Sequence, residues 1–270
     1  MRISKQWILF LFLAIAAIAM LFPFYWTFLT SITPGASVAK APTLWPANPG
    51  ISAYEELFQK LDFGRSAFNS LFIATVTTSI QILTGALAAY AFSRLEFRFK
   101  NTIFLAYLAT LMIPFQVLIV PLFIELKYFG LLNSYWAVIL PTMTSAFGIF
   151  LLRQSLNQMP RELDEAARID GAGHLRIFTS ILMPNMGPAI ATFAVFSFMA
   201  SWNSFLWPLV VLRKPELQTL PVALSSLQGQ YTTSWDVLMA GSVISIIPML
   251  IIYIFAQRYV VQGIASSGIK

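Results

Sequence analysis

Apolar residues are concentrated in six long stretches, which polar and proline-containing segments separate. The stretches cover approximately residues 7–29, 67–92, 102–124, 134–152, 186–211 and 237–257. Each is close to the about 20 mainly apolar residues with which a helix crosses the hydrocarbon core of a bilayer, about 30 Å thick. The pattern therefore predicts an all-α integral membrane protein, a bundle of six transmembrane helices forming a single domain over residues 1–270.

The first stretch allows two interpretations. Arg2 and Lys5 precede the apolar run, and Ala17-Ile18-Ala19 resembles the cleavage site of a signal peptide. The apolar run continues to Leu29, however, and is longer than the apolar part of a signal peptide. We therefore expect an uncleaved first transmembrane helix.

The composition excludes several classes of protein. Apolar residues make up 58% of the chain and charged residues 10%, whereas a soluble domain carries about 25% charged residues. A water-soluble enzyme is therefore excluded. The absence of cysteine excludes disulfides and thiolate sites, and His174, the one histidine, leaves no room for a histidine-based metal centre.

Basic residues are unequally divided between the segments that join the stretches. If the N-terminus is cytoplasmic, that side holds 11 Lys and Arg residues and the opposite side 6. Because cytoplasmic loops carry the excess of basic residues, we expect both termini in the cytoplasm. The segment 153–185 and the tail 258–270 then lie on the cytoplasmic side, and the formal charge of +6 indicates topology and not a nucleic-acid partner.

The cytoplasmic segment 153–185 contains a pattern typical of two short helices. Pro160 suits the start of the first helix, acidic residues fill its first turns, and Gly171 suits the left-handed residue that ends it. Glu165 and Arg168 are spaced to form an i, i+3 ion pair. A second helix is expected over about His174–Leu182. Such an elbow either packs on its own membrane domain or inserts into a groove of a cytoplasmic partner.

The same residues resemble a known family. Glu165-Ala166-Ala167, three residues, Gly171, nine residues and Ile181-Leu182-Met183-Pro184 match the EAA loop of binding-protein-dependent ABC importer permeases of the MetI-like type, with Met183 in place of the usual leucine. In that family the short helix is the coupling helix, which docks in a cleft of the ATPase subunit. The resemblance implies that coupling to the ATPase involves Glu165, Ala166, Ala167 and Gly171, flanked by Arg168 and Asp170.

Further segments resemble the carbohydrate-uptake class of these permeases. They are Met112–Gln116, Gly130–Trp136, Trp202–Leu209, Thr219–Val222 and Gln257–Gly263. The resemblance is greatest to the smaller permease subunit of the maltose and glycerol-phosphate class of importer. There the C-terminal tail can reach the ATPase, which makes Gln262 and Gly263 a second candidate contact.

Two absences from the sequence bear on the source of energy. No phosphate-binding loop of the form G-x-x-x-x-G-K-[ST] occurs. If the chain belongs to a pump, ATP and Mg²⁺ are therefore bound by a separate ATPase subunit. We expect a transport subunit and not an enzyme, with no cofactor of its own. No Asp, Glu, Lys, Arg or His lies inside the six stretches, whereas ion-driven carriers usually have such residues there. This argues against a secondary carrier and favours an uncharged solute.

Neutral polar residues form stripes on two predicted helices. Ser197, Ser201 and Ser204 share one helix face, and Thr77, Gln81 and Thr84 repeat the spacing on another. Such stripes either pack helices together or line a pathway for the solute. The further candidates for the pathway are Trp202, Asn203 and Phe205 beside the serines, and Gln116 between two prolines.

The resemblance implies a multi-subunit importer in the cytoplasmic (inner) membrane of a bacterium or archaeon. Its partners are a second homologous permease subunit, two ATP-binding ATPase subunits, an external solute-binding protein, a sugar substrate and the lipid bilayer. The expected function is uptake of a sugar, oligosaccharide or related polyol by alternating access. The alternatives are an ABC importer for glycerol phosphate, a polyamine, an amino acid or phosphate, a stand-alone channel or secondary carrier, and a membrane enzyme.

Overall fold

The computed structural model describes residues 2–36, 44–46, 48–228 and 234–267, with side chains from residue 6 to 255 and at 257 within those ranges. These residues form α-helices joined by short turns, and they contain no β-strand. The α-helices, in chain order, are α1 Arg2–Ser31, α2 Ser52–Lys60, α3 Phe63–Arg94, α4 Lys100–Ala109, α5 Phe115–Tyr128, α6 Tyr135–Ile139, α7 Ala146–Asn157, α8 Glu162–Ile169, α9 His174–Ile177, α10 Met183–Asn185, α11 Gly187–Trp202, α12 Leu206–Val211, α13 Leu220–Ser225 and α14 Trp235–Ser267. Short 3₁₀ helices cover Thr110–Met112, Leu140–Thr142 and Pro215–Leu217, and a π-helical turn covers Phe178–Leu182.

Three of the helices are long and apolar enough to cross a membrane unbroken. They are Gln6–Ser31 within α1, all of α3, and Trp235–Phe255 within α14. Three further pairs of helices are long and apolar enough when each pair is taken as one bent span: α4 with α5 at 98°, α6 with α7 at 47°, and His174–Asn185 with α11 at 77°. Counting each bent pair as one span gives up to six spans. The last pair begins within segment 153–185, and the apolar stretch 186–211 divides into α11 and α12.

The sequence prediction treats the stretches 102–124 and 134–152 each as one helix, and both contain a bend. At the sharpest bend, Pro114 forces the preceding Ile113 into an extended conformation, with φ −86° and ψ 114°. At the second, Ser145 is extended, and its hydroxyl accepts a hydrogen bond from the Gly148 N–H to start α7. An apolar stretch thus predicts membrane location, while single prolines and capping serines decide where the helix breaks.

Residues 1–65 and 220–248 form one compact unit. In it α14 approaches α13 at Gly241, where a Cβ atom would lie 2.3 Å from Leu224 and 3.4 Å from Leu57 of α2. The Asp236 carboxylate accepts a hydrogen bond of 2.8 Å from the Gly35 N–H. The most apolar 18-residue part of α1 has none of its residues buried, as expected for a helix that faces lipid.

Residues 66–219 and 249–270 form the second unit. One apolar cluster, which includes Leu152, Leu156, Leu182 and Phe193, joins α3, α7, α8, α9 and α11. A second cluster around Ile139 and Trp207 joins α3, α5, α6 and α12. Both candidate functional regions lie in this unit, one beside each cluster.

Candidate coupling elbow and membrane cavity

The first short helix of segment 153–185 is α8. It begins at Glu162, and its first turn carries Glu162, Asp164 and Glu165, where the helix dipole stabilises anions. It ends at Asp170 and Gly171, which has φ +79°. The left-handed glycine lets the Ala172 N–H reach back to the Ala167 carbonyl at 2.9 Å, so the predicted glycine stop is confirmed.

The second short helix begins at His174, as predicted, but it continues beyond Leu182. The α-helical turn α9 is followed by the π-helical turn Phe178–Leu182 and then by α10, which ends at Asn185. Pro184 lies in the first turn of α10, where its missing N–H is tolerated. The 77° bend into α11 follows directly, so α8, α9, the π-helical turn and α10 form an elbow, named here the coupling elbow.

The two faces of α8 differ in burial. Asp164 and Ala167 are buried, and Ala167 belongs to the cluster around Leu156. The remaining predicted coupling residues are exposed, namely Glu165, Ala166, Arg168, Asp170 and Gly171. The elbow thus packs on its own membrane domain through one face and presents the other. Of the two alternatives left open by the sequence, packing on the membrane domain is confirmed for the buried face, and insertion of the exposed face into a partner stays a prediction.

The exposed face combines charge with apolar surface. Ile169 is 86% exposed and Leu175 is 71% exposed. Glu165 and Arg168 do not form the i, i+3 ion pair that their spacing predicts, since neither takes part in any ion pair among the described residues. Their charges and the two apolar side chains are therefore available to a partner. Gln262 and Gly263, the second predicted ATPase contact, lie outside the residues whose side chains the structure describes.

A buried ion pair, which the sequence did not predict, holds α8 to the end of α3. The Arg94 Nε atom lies 2.7 Å from Oδ2 of Asp164, and the two side chains are 4% and 9% exposed. The Arg94 N–H is not aligned with that oxygen, so the contact is ionic and not a hydrogen bond. Arg94 Nη2 also donates to the Met159 carbonyl at 3.0 Å. Removing one member of such a pair typically costs about 3–5 kcal/mol, because the other charge stays buried.

The start of α9 contacts α3 one turn before Arg94. The Tyr90 hydroxyl and His174 Nδ1 are 3.0 Å apart, at hydrogen-bond distance. The Tyr90 ring also packs on Phe178, with ring centroids 5.4 Å apart. Tyr90 and Arg94 are spaced i, i+4 and share one face of α3. The signal for this arrangement in the sequence was Asp164, an acidic residue on the same helix face as Ala167.

A cavity of about 510 Å³ lies within the second unit. Its wall combines neutral polar residues with aromatic ones. Five of the predicted pathway residues line it: Thr77, Gln81, Ser197, Ser201 and Ser204. The aromatic part of the wall comprises Phe115, Phe147, Phe193, Phe196 and Trp207. No lining residue in the described part of the chain is ionisable.

Several of these polar groups also hold helices together. The Ser197 hydroxyl donates to Gln81 Oε1 at 2.8 Å, and the Gln81 amide donates to the Thr142 carbonyl. Thr84 does not line the cavity, and its hydroxyl lies 3.0 Å from the Met143 carbonyl. The Thr77 hydroxyl is buried in the wall with no hydrogen-bond partner among the described residues. The polar stripes therefore contribute both to packing and to the cavity.

The remaining candidates for the pathway lie outside the cavity wall. Trp202 is buried and stacks on Phe198, with ring centroids 5.9 Å apart. Asn203, Phe205 and Gln116 are exposed. The sequence missed Trp207, whose indole N–H donates to the Ala137 carbonyl at 3.0 Å and whose ring meets Phe115 edge-on. The helix ends at Trp202 and restarts at Leu206, so helical spacing could not identify the tryptophan that lines the cavity.

A protein-family model matches most of the chain. The family model described as "Binding-protein-dependent transport system inner membrane component" matches residues 81–266, which include the elbow and every lining residue of the cavity except Thr77. The chain is similar to the arabinooligosaccharides transport system permease protein of Halalkalibacterium halodurans, with 42% identity over 75% of this chain and 72% of the relative. It is also similar to the lactose transport system permease protein of Rhizobium radiobacter, with 33% identity over 94% and 93% of the two chains.

A solved structure shares the fold. A chain of a bacterial ABC transporter involved in the import of the acidic polysaccharide alginate has a TM-score of 0.84 and 27% identity, with 96% of each chain covered. The EAA pattern, the bent apolar helices and the family match agree. The chain belongs to the family of inner membrane components of binding-protein-dependent transport systems, as a multi-pass ABC importer permease that is a transport subunit and not itself an enzyme.

Proposed function

We propose that this chain is one of two permease subunits of an ATP-driven importer that carries a carbohydrate into the cytoplasm by alternating access. The carbohydrate is a sugar, an oligosaccharide or a related polyol. Relatives that transport arabino-oligosaccharides and lactose support this substrate class. The observation that carries the proposal is the cavity, because its wall combines neutral polar groups with aromatic rings and no charge.

The chemistry of a sugar matches this wall. Sugar hydroxyls exchange hydrogen bonds with hydroxyl groups, which Thr77, Ser201 and Ser204 supply. The C–H faces of a sugar ring are apolar and pack against aromatic rings such as those of Phe147 and Trp207. The volume of about 510 Å³ lies within the about 300–1,000 Å³ that is usual for small-molecule sites. A phosphate, a polyamine or an amino acid would bring charge into a wall that has no ionisable group to pair with it.

Energy enters through the coupling elbow. In this proposal the exposed residues Glu165, Ala166, Arg168, Asp170 and Gly171 contact one of two ATPase subunits, which bind ATP and Mg²⁺. A solute-binding protein delivers the sugar from outside, and a second permease subunit completes the pathway. Closure of the ATPase pair moves the elbow as a stiff body, and the permease pair changes between outward- and inward-facing states.

The substrate class is tested by the ATPase activity of the assembled importer. The complete complex with its binding protein is reconstituted in proteoliposomes and given lactose, arabino-oligosaccharides, glycerol 3-phosphate, spermidine or glutamine in turn. A neutral saccharide is expected to stimulate ATP hydrolysis and to accumulate inside. Stimulation by spermidine, glutamine or glycerol 3-phosphate with none by the saccharides would contradict the carbohydrate assignment.

The role of the cavity is tested with the sugar that stimulates best. Ser201→Trp places a large side chain in the cavity and is expected to lower uptake more than about tenfold, equivalent to about 1.4 kcal/mol. The matched control is Ser79→Trp, on an exposed position of α3 outside the wall, which is expected to transport normally. Normal uptake by the Ser201 variant would assign that face to packing alone.

A further inference from the structure

The end of α3 and the coupling elbow meet through the buried Arg94–Asp164 ion pair. Of the ion pairs among the described residues, this is the one in which both side chains are buried. Lys60–Glu56 is 48% and 42% exposed, and Glu96 of the Lys100–Glu96 pair is 82% exposed. Two charges removed from water are a costly way to fasten a helix that Ala167 already packs on the apolar cluster. What such a pair supplies is a fixed position of one helix against the other.

Two contacts beside the ion pair fix the elbow on both sides of α8. Arg94 Nη2 binds the Met159 carbonyl just before α8, at 3.0 Å. Tyr90, one turn back on the same face of α3, is 3.0 Å from His174 at the start of α9. The last turn of α3 therefore contacts the elbow before α8, within α8 and after α8. A displacement of α8 cannot occur without moving α3 or breaking these contacts.

Helix α3 also forms part of the cavity wall. Thr77 and Gln81 line the cavity, and Thr77 lies about 25 Å along the helix from Arg94 at about 1.5 Å per residue. Helix α3 is continuous from Phe63 to Arg94 and contains no proline. Bends of 98°, 47° and 77° interrupt the three bent pairs that also contribute to the wall. Through α3, elbow and cavity are thus joined by an unbroken helix.

We propose that Arg94 and Asp164 are positioning residues that transmit movement of the coupling elbow along α3 to the cavity. This inference rests on the proposed function, because it requires an ATPase that moves the elbow. The ATPase contacts the exposed face of α8, and the buried face passes the movement to the membrane helix. Loss of the ion pair then separates ATP hydrolysis from transport, while docking of the ATPase persists.

The test uses the whole importer in proteoliposomes and the sugar that stimulates its ATPase best. The ratio of sugar imported to ATP hydrolysed is measured together with subunit co-purification and basal ATPase activity. Asp164→Asn is expected to leave subunit co-purification and basal ATPase activity unchanged. It is expected to lower the ratio of sugar imported to ATP hydrolysed about tenfold, within the 5–150-fold range usual for coupling between sites. Asp164→Glu, which keeps the charge, is expected to restore much of the ratio. Glu96→Gln, an exposed acid near the same end of α3, is the matched control and is expected to behave as wild type.

The double variant Arg94→Ala/Asp164→Ala separates transmission from stability. It leaves no unpaired buried charge, so a merely structural role predicts that assembly and transport both recover relative to the single variants. Transmission through the pair predicts an assembled complex whose ratio stays low. A wild-type ratio in the double variant, or in Asp164→Asn, would overturn the inference and leave the proposed function intact. Failure of the wild-type chain to co-purify with an ATPase would remove both.

Discussion

Thr77 holds a buried hydroxyl in the cavity wall that no other described residue binds. An unsatisfied buried hydroxyl costs about 1–3 kcal/mol, and natural proteins keep few of them. A solute hydroxyl in the cavity would satisfy it at the moment of transport. Thr77 thus differs from Ser197, whose hydroxyl is already bound by Gln81 and Thr78.

Thr77→Val tests this difference at a single residue. Valine has nearly the same shape, and it removes the unsatisfied hydroxyl without loss of a hydrogen bond within the described residues, so the thermal stability of the purified chain is expected to rise. The apparent KM for sugar uptake is expected to rise about fivefold, equivalent to about 1 kcal/mol for one hydrogen bond. The control is Thr84→Val on the same helix, whose hydroxyl binds the Met143 carbonyl. It should lower stability and leave KM unchanged, and an unchanged KM in the Thr77 variant would contradict the assignment.

The periodicity of polar residues identified much of the cavity wall from the sequence alone. Thr77, Gln81 and the three serines recur at helical spacing, and all of them line the cavity. Trp202 lies outside the wall, since α11 ends there and the chain turns before α12. Spacing identifies a helix face, but it cannot identify the neighbouring helix on which that face packs or the residue at which the helix stops.

At the scale of helices, Gly148 allows α7 and α11 to approach closely in the second unit. A Cβ atom built on Gly148 of α7 would lie 2.1 Å from the ring of Phe193 in α11. Phe193 itself is 1% exposed and lies in the apolar cluster. The sequence predicted both helices but could not show this contact, because a glycine within a helix marks no particular partner.

Gly148→Ala is therefore expected to destabilise the chain. Phe193 has little space in which to move, so the added methyl group should cost about 1–3 kcal/mol through overpacking. Thermal unfolding of the purified variant in detergent measures the effect. Gly64→Ala in the first turn of α3 is the control, because nothing lies within 4 Å of its Cβ position. Equal unfolding temperatures for the two variants would contradict the close packing of α7 on α11.

The exposed face of α8 supplies a prediction about coupling. Glu165 is exposed and takes part in no ion pair among the described residues, so Glu165→Lys should leave the chain inserted and stable. We expect it to abolish uptake in cells that express the complete importer, because it reverses a charge where we propose that the ATPase docks. Glu55→Lys changes an equally exposed acid in the first turn of α2 and should have no effect. Normal uptake by the Glu165 variant, at wild-type amounts in the membrane, would count against coupling at this surface.

The coupling elbow also shows which features of a structural element can be predicted from local sequence patterns. Acidic residues at its start and Gly171 at its end predicted α8 closely, because both signals act within a few residues. The Arg94–Asp164 pair joins positions 70 residues apart, and a local pattern carries no information about such a partner. The bend before Pro114 does not follow from hydropathy, which does not distinguish a straight span from a broken one.

For the whole molecule, the distribution of basic residues predicts the orientation in the membrane. The cytoplasmic side should carry the elbow, the turn between α3 and α4, and both termini. The chain contains no cysteine, so single cysteines can report accessibility without background.

Labelling with a membrane-impermeant maleimide tests this orientation. Leu44→Cys, at a position 79% exposed, is expected to react in intact cells. Glu96→Cys, whose native side chain is 82% exposed, is expected to react only after the membrane is opened. The opposite pattern of reactivity would reverse the topology and place the elbow outside the cell.

The central claim is that this chain works as one permease within an ATP-driven importer. Affinity purification of the tagged chain from its native membrane, followed by identification and counting of the accompanying chains, tests it most directly. The account predicts one second permease of the same family and two copies of an ATPase subunit, in a complex whose ATP hydrolysis is stimulated by binding protein and a neutral sugar. A chain that purifies without an ATPase or a second permease, and that moves solute across liposome membranes by itself, would contradict it.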